Sequence, residues 1–391
     1  MLRNKKYVKV IPEKPFRRIL LNPFFVIFFS LMLICSLMLN IAARHNILFA
    51  NWYSNYIYPN LVYVIGGTMS VFPFSVAEIL LYMLIAVTIL RFIYMLVQFI
   101  RYLIKKMPPG SCYYLALFIR YILVMSVILL FGFTTTCGIN YHRFPFSHYS
   151  DLNVSTYDSD VLLEFCEYLI DNVNETATNV YRDDNAVFSL DNTDYTYEAK
   201  TALERLGMVY PVLSGFYPDA KPVISSKFMT YSFITGIYAP YTIEANYNNM
   251  MPDLNIPFTI CHELSHLRGF MREDEANFIA YLACRESSCI EFQYSGYANA
   301  LSYALSAILP YISSEEYTNL VSEISPLTRL DYSDDSSFWN AYKTPVKAVA
   351  SSVNDSYLKA NNQYDGVLSY GRIVDLMLAD YVQNIKTTEG R

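Results

Sequence analysis

The chain has 391 residues, 53% of them hydrophobic and only 16% charged, where an average soluble domain carries about 25% charged residues. The charge is split: residues 1–138 hold 13 Lys+Arg and two acids, Glu13 and Glu78, a net of +11, while residues 139–391 hold 16 Lys+Arg against 33 Asp+Glu, a net of −17. That asymmetry excludes a single soluble domain of mixed character. The acidic part would repel phosphate, which argues against nucleic acid as a partner, and 16% aromatic residues argue against disorder.

Three apolar stretches reach the ~20 residues that a bilayer span needs, at about 20–43, 76–100 and 121–139. The first lacks a small-residue cleavage site and reads as an uncleaved anchor rather than a signal peptide. Lys and Arg mark cytoplasmic flanks. The tail before the first span, 1–19, has seven basic residues, and the connection after the second span has Arg101, Lys105, Lys106 and Arg120. The connection after the first span has only Arg44. The tail is therefore expected in the cytoplasm, and three spans put residues 140–391 outside the cell membrane. Residues 55–75 are apolar but contain Pro59, Gly66, Gly67 and Pro73. They read as a membrane-surface or partly re-entrant piece; the alternative is a fourth span, which would reverse the side of the acidic domain.

Residues 140–158 are polar and Tyr-rich and read as a stalk or entry loop. Helical spacing follows at 160–174 and 197–206. Residues 221–249 are rich in β-branched and aromatic residues, with turn signals at Gly236 and Pro240, so a small sheet is expected, with 236–249 as one strand or a hairpin. From 257 onward the pattern is helical, at 257–267, 272–285, 294–308, 314–324, 338–357 and 370–385, with a polar loop at 354–366. No CxxC pair is present, so a Cys-based zinc ribbon is not expected. Cys284 and Cys289 flank a short turn and are either a disulfide or two thiols.

The sharpest signal is His262-Glu263-Leu264-Ser265-His266, an HExxH sequence. Two His four apart on a helix project from one face and can bind one Zn²⁺ through imidazole nitrogens. Glu263 sits beside them, placed to act as general base toward a zinc-bound water and then to pass the proton to a leaving amine. The chain has five His, and the other three, at 45, 142 and 148, lie near the membrane segments. Arg272 stands where a metzincin has its third ligand, and a cation cannot ligate zinc. With no later His, the third ligand must be a carboxylate, most simply Glu273 or Glu275 at the start of the next helix. A turn at Arg268–Gly269, with Gly as left-handed cap, would fold that helix back.

The run Glu273-Asp274-Glu275-Ala276-Asn277 resembles the ExxxD element of gluzincins, in particular that of CAAX-prenyl-protease and HtpX-like membrane metallopeptidases. In those the first Glu binds zinc and the last residue hydrogen-bonds a ligand His. The resemblance therefore implies Glu273 as ligand, with Glu275 the alternative, and Asn277 in the hydrogen-bonding place. Asn277 is neutral where that family has a carboxylate, and only six residues separate His266 from Glu273. The wider combination GIYAPYTIEAN, ICHELSHLRG, EDEANFIAYLAC and SYGRIVDLMLADY, behind the N-terminal spans, resembles an uncharacterised bacterial family of multi-span membrane proteins. Together these imply N-terminal transmembrane α-helices followed by a mainly α, α+β zincin-like domain with a small sheet. The expected activity is zinc-dependent hydrolysis of peptide or protein substrates. The alternative is an inactive pseudo-peptidase serving as membrane scaffold or receptor. Gluzincins place an edge strand beside the HExxH helix, and 236–249 is the candidate here. With no spare His, Tyr370 and Arg372 are the candidates to stabilise transition-state charge.

A reporter that is active only outside the cytoplasm is expected to be active when fused after Arg391. Activity of a cytoplasm-dependent reporter at that position would instead require an even number of spans.

Overall fold

The computed structural model describes residues 11–155, 157–361 and 372–386. It is mostly helical with one small sheet, and the chain divides into two compact units.

The first unit comprises Met1–His45 and Ala77–Thr135. After a short helix at Pro15–Leu20 come its long helices, α1, Pro23–His45, and two longer ones, here α3, Val76–Ile104, and α4, Pro108–Thr136. All three are long and apolar enough to cross a membrane. Their apolar side chains are largely exposed, as at Leu31, Met38, Leu81, Leu90 and Ile93, which suits lipid rather than water as solvent. Two pairs of polar side chains join these helices to one another. The Asn40 amide donates to Thr134 Oγ1 at 2.9 Å, and Thr88 and Tyr121 share a 2.8 Å hydrogen bond. The third span begins at Pro108, earlier than the expected 121, because Arg120 lies inside the helix rather than at its edge.

The second unit comprises Asn46–Val76 and Thr136–Arg391. Residues 47–69 run as one helical path, α2, in which α-helical turns alternate with π turns at Tyr53–Ile57 and Val62–Gly66. An α-helix has about 3.6 residues per turn, so positions four apart drift around it. The wider π turns cancel that drift. Ala50, Ser54, Tyr58, Val62 and Gly66 therefore share one buried face.

Of the stretch expected as a stalk or entry loop, 140–158, residues 140–152 are packed into this unit. Ile139, Asn140, Tyr141, Arg143, Phe146 and Leu152 are buried. Local polarity misled because the polar groups find partners inside. Ser54 donates to Asn140, and the Arg143 guanidinium donates to the Arg268 carbonyl and to Asn55.

The remaining elements are α5, Ser159–Ala177; α6, Tyr195–Val209; β1, Lys221–Pro222; α7, Ser226–Ser232; β2, Gly236–Ala239; β3, Glu244–Tyr247; α8, Ile256–Leu267; α9, Glu273–Arg285; α10, Ile290–Ile308; α11, Ser314–Ser322; α12, Pro326–Ala341; α13, Pro345–Ala360; and α14, Ile373–Asp380. The strand order is β1-β3-β2, with β1 parallel and β2 antiparallel to β3. The 236–249 segment is thus a hairpin, and β2 is an edge. A helix, α7, interrupts the expected sheet region. The single helix expected at 338–357 is two, because Pro345 lacks an amide hydrogen and starts a new helix. That second helix continues to Ala360, through part of the expected 354–366 loop.

The core is built from α8, α9, α10 and α5, with α6 and both hairpin strands laid against α8. Strand β3 is buried throughout, and Glu244 on it is neutralised by Lys221 at 2.6 Å. Another buried carboxylate, Asp331, accepts hydrogen bonds from Arg182 at 3.0 Å, from the Phe188 amide at 2.9 Å and from the Tyr294 hydroxyl. Its side chain is 1% exposed. Removing one partner strands the other buried groups, so Asp331→Ala is expected to cost about 3–5 kcal/mol, read from denaturant midpoints of the detergent-solubilised protein. A shift no larger than that of a surface Asp→Ala control would refute this role.

Candidate metal centre

Helix α8 starts with Pro257 in its first turn, where a missing amide hydrogen costs nothing, and every residue from Ile256 to Leu267 except His262 is buried. It ends at Gly269, whose φ of +89° only glycine adopts readily. There the Phe270 amide donates to the Ser265 carbonyl and the Gly269 amide to the His266 carbonyl, the paired bonds of a Schellman turn. A side chain at Gly269 would also press on Arg143, 3.0 Å away.

This turn sets the site. It returns the Phe270 carbonyl to His266 Nδ1, 2.8 Å away. A carbonyl can only accept, so Nδ1 carries the hydrogen and Nε2 points into the site. The reversed chain then opens α9 at Glu273. Glu273 Oε2 lies 3.2 Å from His262 Nε2, and Oε1 lies 3.8 Å from His266 Nε2. Ligand atoms of His262, His266 and Glu273 all lie within 4.8 Å of one another. The three side chains are 12%, 10% and 12% exposed.

Glu263 is buried on the same helix, with Oε2 lacking a hydrogen-bond partner. Strand β2 passes against it. A methyl on Gly236 would sit 2.7 Å from Glu263 Cγ, so glycine is needed for strand and carboxylate to meet. Burial raises the Glu263 pKa to about 7, although His262 and His266 pull it down. Burial pushes Glu273 the same way, but there the two histidines win and hold it well below the ordinary carboxylate range. Burial would lower His266, yet Glu273 and Glu263 raise it to about 9. One ionised carboxylate and one carboxyl poised near neutrality thus stand side by side.

The other candidates fall elsewhere. Glu275 is buried but turned away from the group. It accepts from the Phe146 amide at 3.2 Å and faces Arg272 at 3.3 Å. Asn277 is buried with its Nδ2 unpartnered, and His262 Nδ1 is likewise without a partner. Arg372 is half-exposed and bonded to Asp274 at 3.2 Å, outside the His/Glu group. Tyr370 lies outside the described residues. Cys284 and Cys289 are free thiols; Cys284 is pushed up by burial and by the neighbouring Cys261 thiol.

Residues without a sequence signal also come close. Burial pushes up the Tyr141, Tyr303 and Tyr357 hydroxyls, and the Cys137 thiol adds to the rise at Tyr141 and Tyr357. Tyr141 donates to Tyr357 at 3.1 Å. Their spacing in sequence follows no pattern. The Tyr238 ring lies 6.4 Å from that of His266, and its hydroxyl lies 2.8 Å from that of Tyr58. Tyr58 in turn donates to the Leu267 carbonyl at the end of α8.

Fold and site together describe a chain with three helices long and apolar enough to cross a membrane and a largely buried two-His, one-Glu group on its second compact unit. The chain belongs to the family described as "Protein of unknown function (DUF3810)", which matches residues 53–378. No curated protein and no solved structure matches it.

In the metal-free chain the two shifts act on stability in opposite directions. Glu273 has a depressed value, so its contribution is complete above about pH 4.5 and is lost only in strong acid. His266 has a raised value, so its contribution is complete below about pH 6.5 and is lost as pH rises to about 9. The melting temperature in chelator should fall between these two pH values, and His266→Gln should flatten that fall. An unchanged slope in the variant would show that His266 does not carry it.

Proposed function

We propose that the chain is a membrane-anchored, zinc-dependent metallopeptidase of zincin-like type, acting on peptide or protein substrates at the extracytoplasmic face. The observation that carries this reading is the convergence of His262, His266 and Glu273 donor atoms beside a buried, unpartnered Glu263 oxygen. Two imidazoles and one carboxylate are a donor set that zinc takes in catalytic sites, where a fourth position stays open. Glu275 is already committed to Phe146 and Arg272, which favours Glu273 as the third ligand.

Zinc, when bound, supplies Lewis acidity that acidifies a water and polarises a carbonyl. The chain's own groups do the rest. Phe270 fixes the His266 tautomer so that Nε2 faces the metal position. His266 must release its Nε2 proton for metal to enter, so uptake should be accompanied by proton release. Glu263, poised near neutrality, takes a proton from water and delivers it to the leaving amine. The Tyr357 phenol, which accepts from Tyr141, and that of Tyr303 are held neutral by burial, as a donor to developing negative charge must be. Strand β2 is an edge with Ile237 51% exposed, suited to pair an extended peptide next to Glu263.

One observation favours the second reading, a pseudo-peptidase scaffold or receptor. His262 Nδ1 and Asn277 Nδ2 are both buried and unpartnered, so the brace that normally orients a ligand His is not made.

Purified protein is expected to hold zinc, and His262→Ala or Glu273→Ala to lose it, while Glu275→Gln retains it. Zinc-free wild-type protein after loading at neutral pH would end the metal reading. Glu263→Gln and Gly236→Ala should both keep zinc and lose hydrolysis of an extended peptide by roughly 100-fold or more. Full biological function in Glu263→Gln would select the scaffold.

A further inference from the structure

The outer face of α2 is unlike the rest of the acidic unit that holds it. Residues 46–75 contain no Lys, Arg, Asp or Glu. Yet much of this stretch is solvent-accessible in the isolated chain. Leu48 is 68% exposed, Tyr56 67%, Tyr63 69% and Val64 61%, with Trp52, Val71 and Phe72 also exposed. Leu48, Trp52, Tyr56 and Val64 lie on the side opposite the buried row through Tyr58. A water-facing helix ordinarily carries charge on its outer side. A helix whose outer side is aliphatic and aromatic but uncharged is matched to a different solvent.

Chain connectivity says which one. Helix α1 ends at His45 and α3 begins at Val76, so both ends of this stretch are joined directly to candidate membrane spans. Within α2 the exposed aromatics are Trp52, Tyr56 and Tyr63, of the two types that prefer the headgroup boundary over deep hydrocarbon. Asn60 and Thr68 on the same outer side also suit a shallow position. The buried face is committed to protein, since Tyr58 bonds to the end of α8 and a methyl on Gly66 would lie 3.2 Å from the Ile243 carbonyl.

We propose that the outer face of α2 lies in the headgroup boundary of the bilayer, as a membrane-binding surface of the second unit. This does not depend on the peptidase reading. It gives the unit a contact with lipid beyond its tethers and sets the end of the His-bearing helix about one helix diameter, ~10 Å, from the membrane surface.

The chain has two Trp, Trp52 on this face and Trp339 on α12, where it packs on Phe233 and Phe338. Trp339→Phe therefore leaves Trp52 as the sole indole reporter in the full-length protein. In phosphatidylcholine proteoliposomes, Trp52 emission is expected to be blue-shifted and shielded from acrylamide. It should be quenched more by lipid brominated near the headgroup end of the acyl chains than near the methyl end. Trp52→Phe, which reports Trp339, should show no lipid quenching and serves if the first variant folds poorly. Free access of acrylamide to Trp52 would overturn the proposal. So would shielding without lipid quenching, which would mean a second protein surface covers the face. Strongest quenching from the methyl end would mean a spanning rather than interfacial segment, and would overturn it as well.

Discussion

The left-handed residue at Gly269 ends α8 abruptly, and the remainder of the site is built on that stop. Because the chain reverses within a few residues, the Phe270 carbonyl meets His266 and Glu273 meets both histidines. A helix that ran on by one more turn would carry Glu273 away along its axis. The two paired hydrogen bonds of the turn are therefore what converts a sequence spacing into a cluster of donor atoms. Arg143 packs against Gly269 and bonds to the Arg268 carbonyl, so residues once expected to form a stalk hold the turn from outside.

Burial acts on Glu263, His266 and Glu273 alike, but it does not decide all three. For Glu263 it prevails over two nearby histidines; for Glu273, in direct contact with them, it does not. The difference is one of distance: direct contact outweighs desolvation, whereas a carboxylate set against β2 remains governed by its dry surroundings. Two glutamates ten residues apart thus acquire opposite protonation preferences from position alone. Glu275 shows the same rise to about 7 for the same reason, yet it is turned to Phe146 and Arg272, so a shifted value does not by itself identify a chemical role.

Much of this was legible in the sequence, and the gaps have physical causes. The three apolar spans, the α8 and α9 helices, the glycine turn between them and the 236–249 hairpin all rest on short-range signals: apolar length, 3.6-residue periodicity and turn residues. Residues 140–152 were misread because their polar side chains are satisfied by distant partners such as Ser54 and Asn55, which no local pattern reveals. The break at Pro345 was visible as a proline, but the apolar spacing across it suggested one helix. The π turns of α2 were hidden because a four-residue repeat shows its purpose only against its partners, which are as scattered as Asn140, Leu267 and Ile243. Gly236 stood in plain view as a turn signal; that it makes room for Glu263 needed the packing of β2 on α8. Tyr141 and Tyr357 share a hydrogen bond across 216 residues of sequence, so nothing in their spacing could have grouped them.

The span from His262 to Glu273 is short, and this bears on what the donor cluster needs in order to form. All three donor residues belong to one helix-turn-helix, so bringing them together closes only a small loop and costs little chain entropy. The setting of Glu263 is different, since it requires β2, which is held by β3 and precedes α8 in the chain. Docking β2 on α8 joins residues farther apart in the chain than the helix-turn-helix does, and so closes a somewhat larger loop. The donor cluster and the environment of the neighbouring carboxylate therefore rest on separate sets of contacts, and the histidines and Glu273 can converge without the strand that buries Glu263.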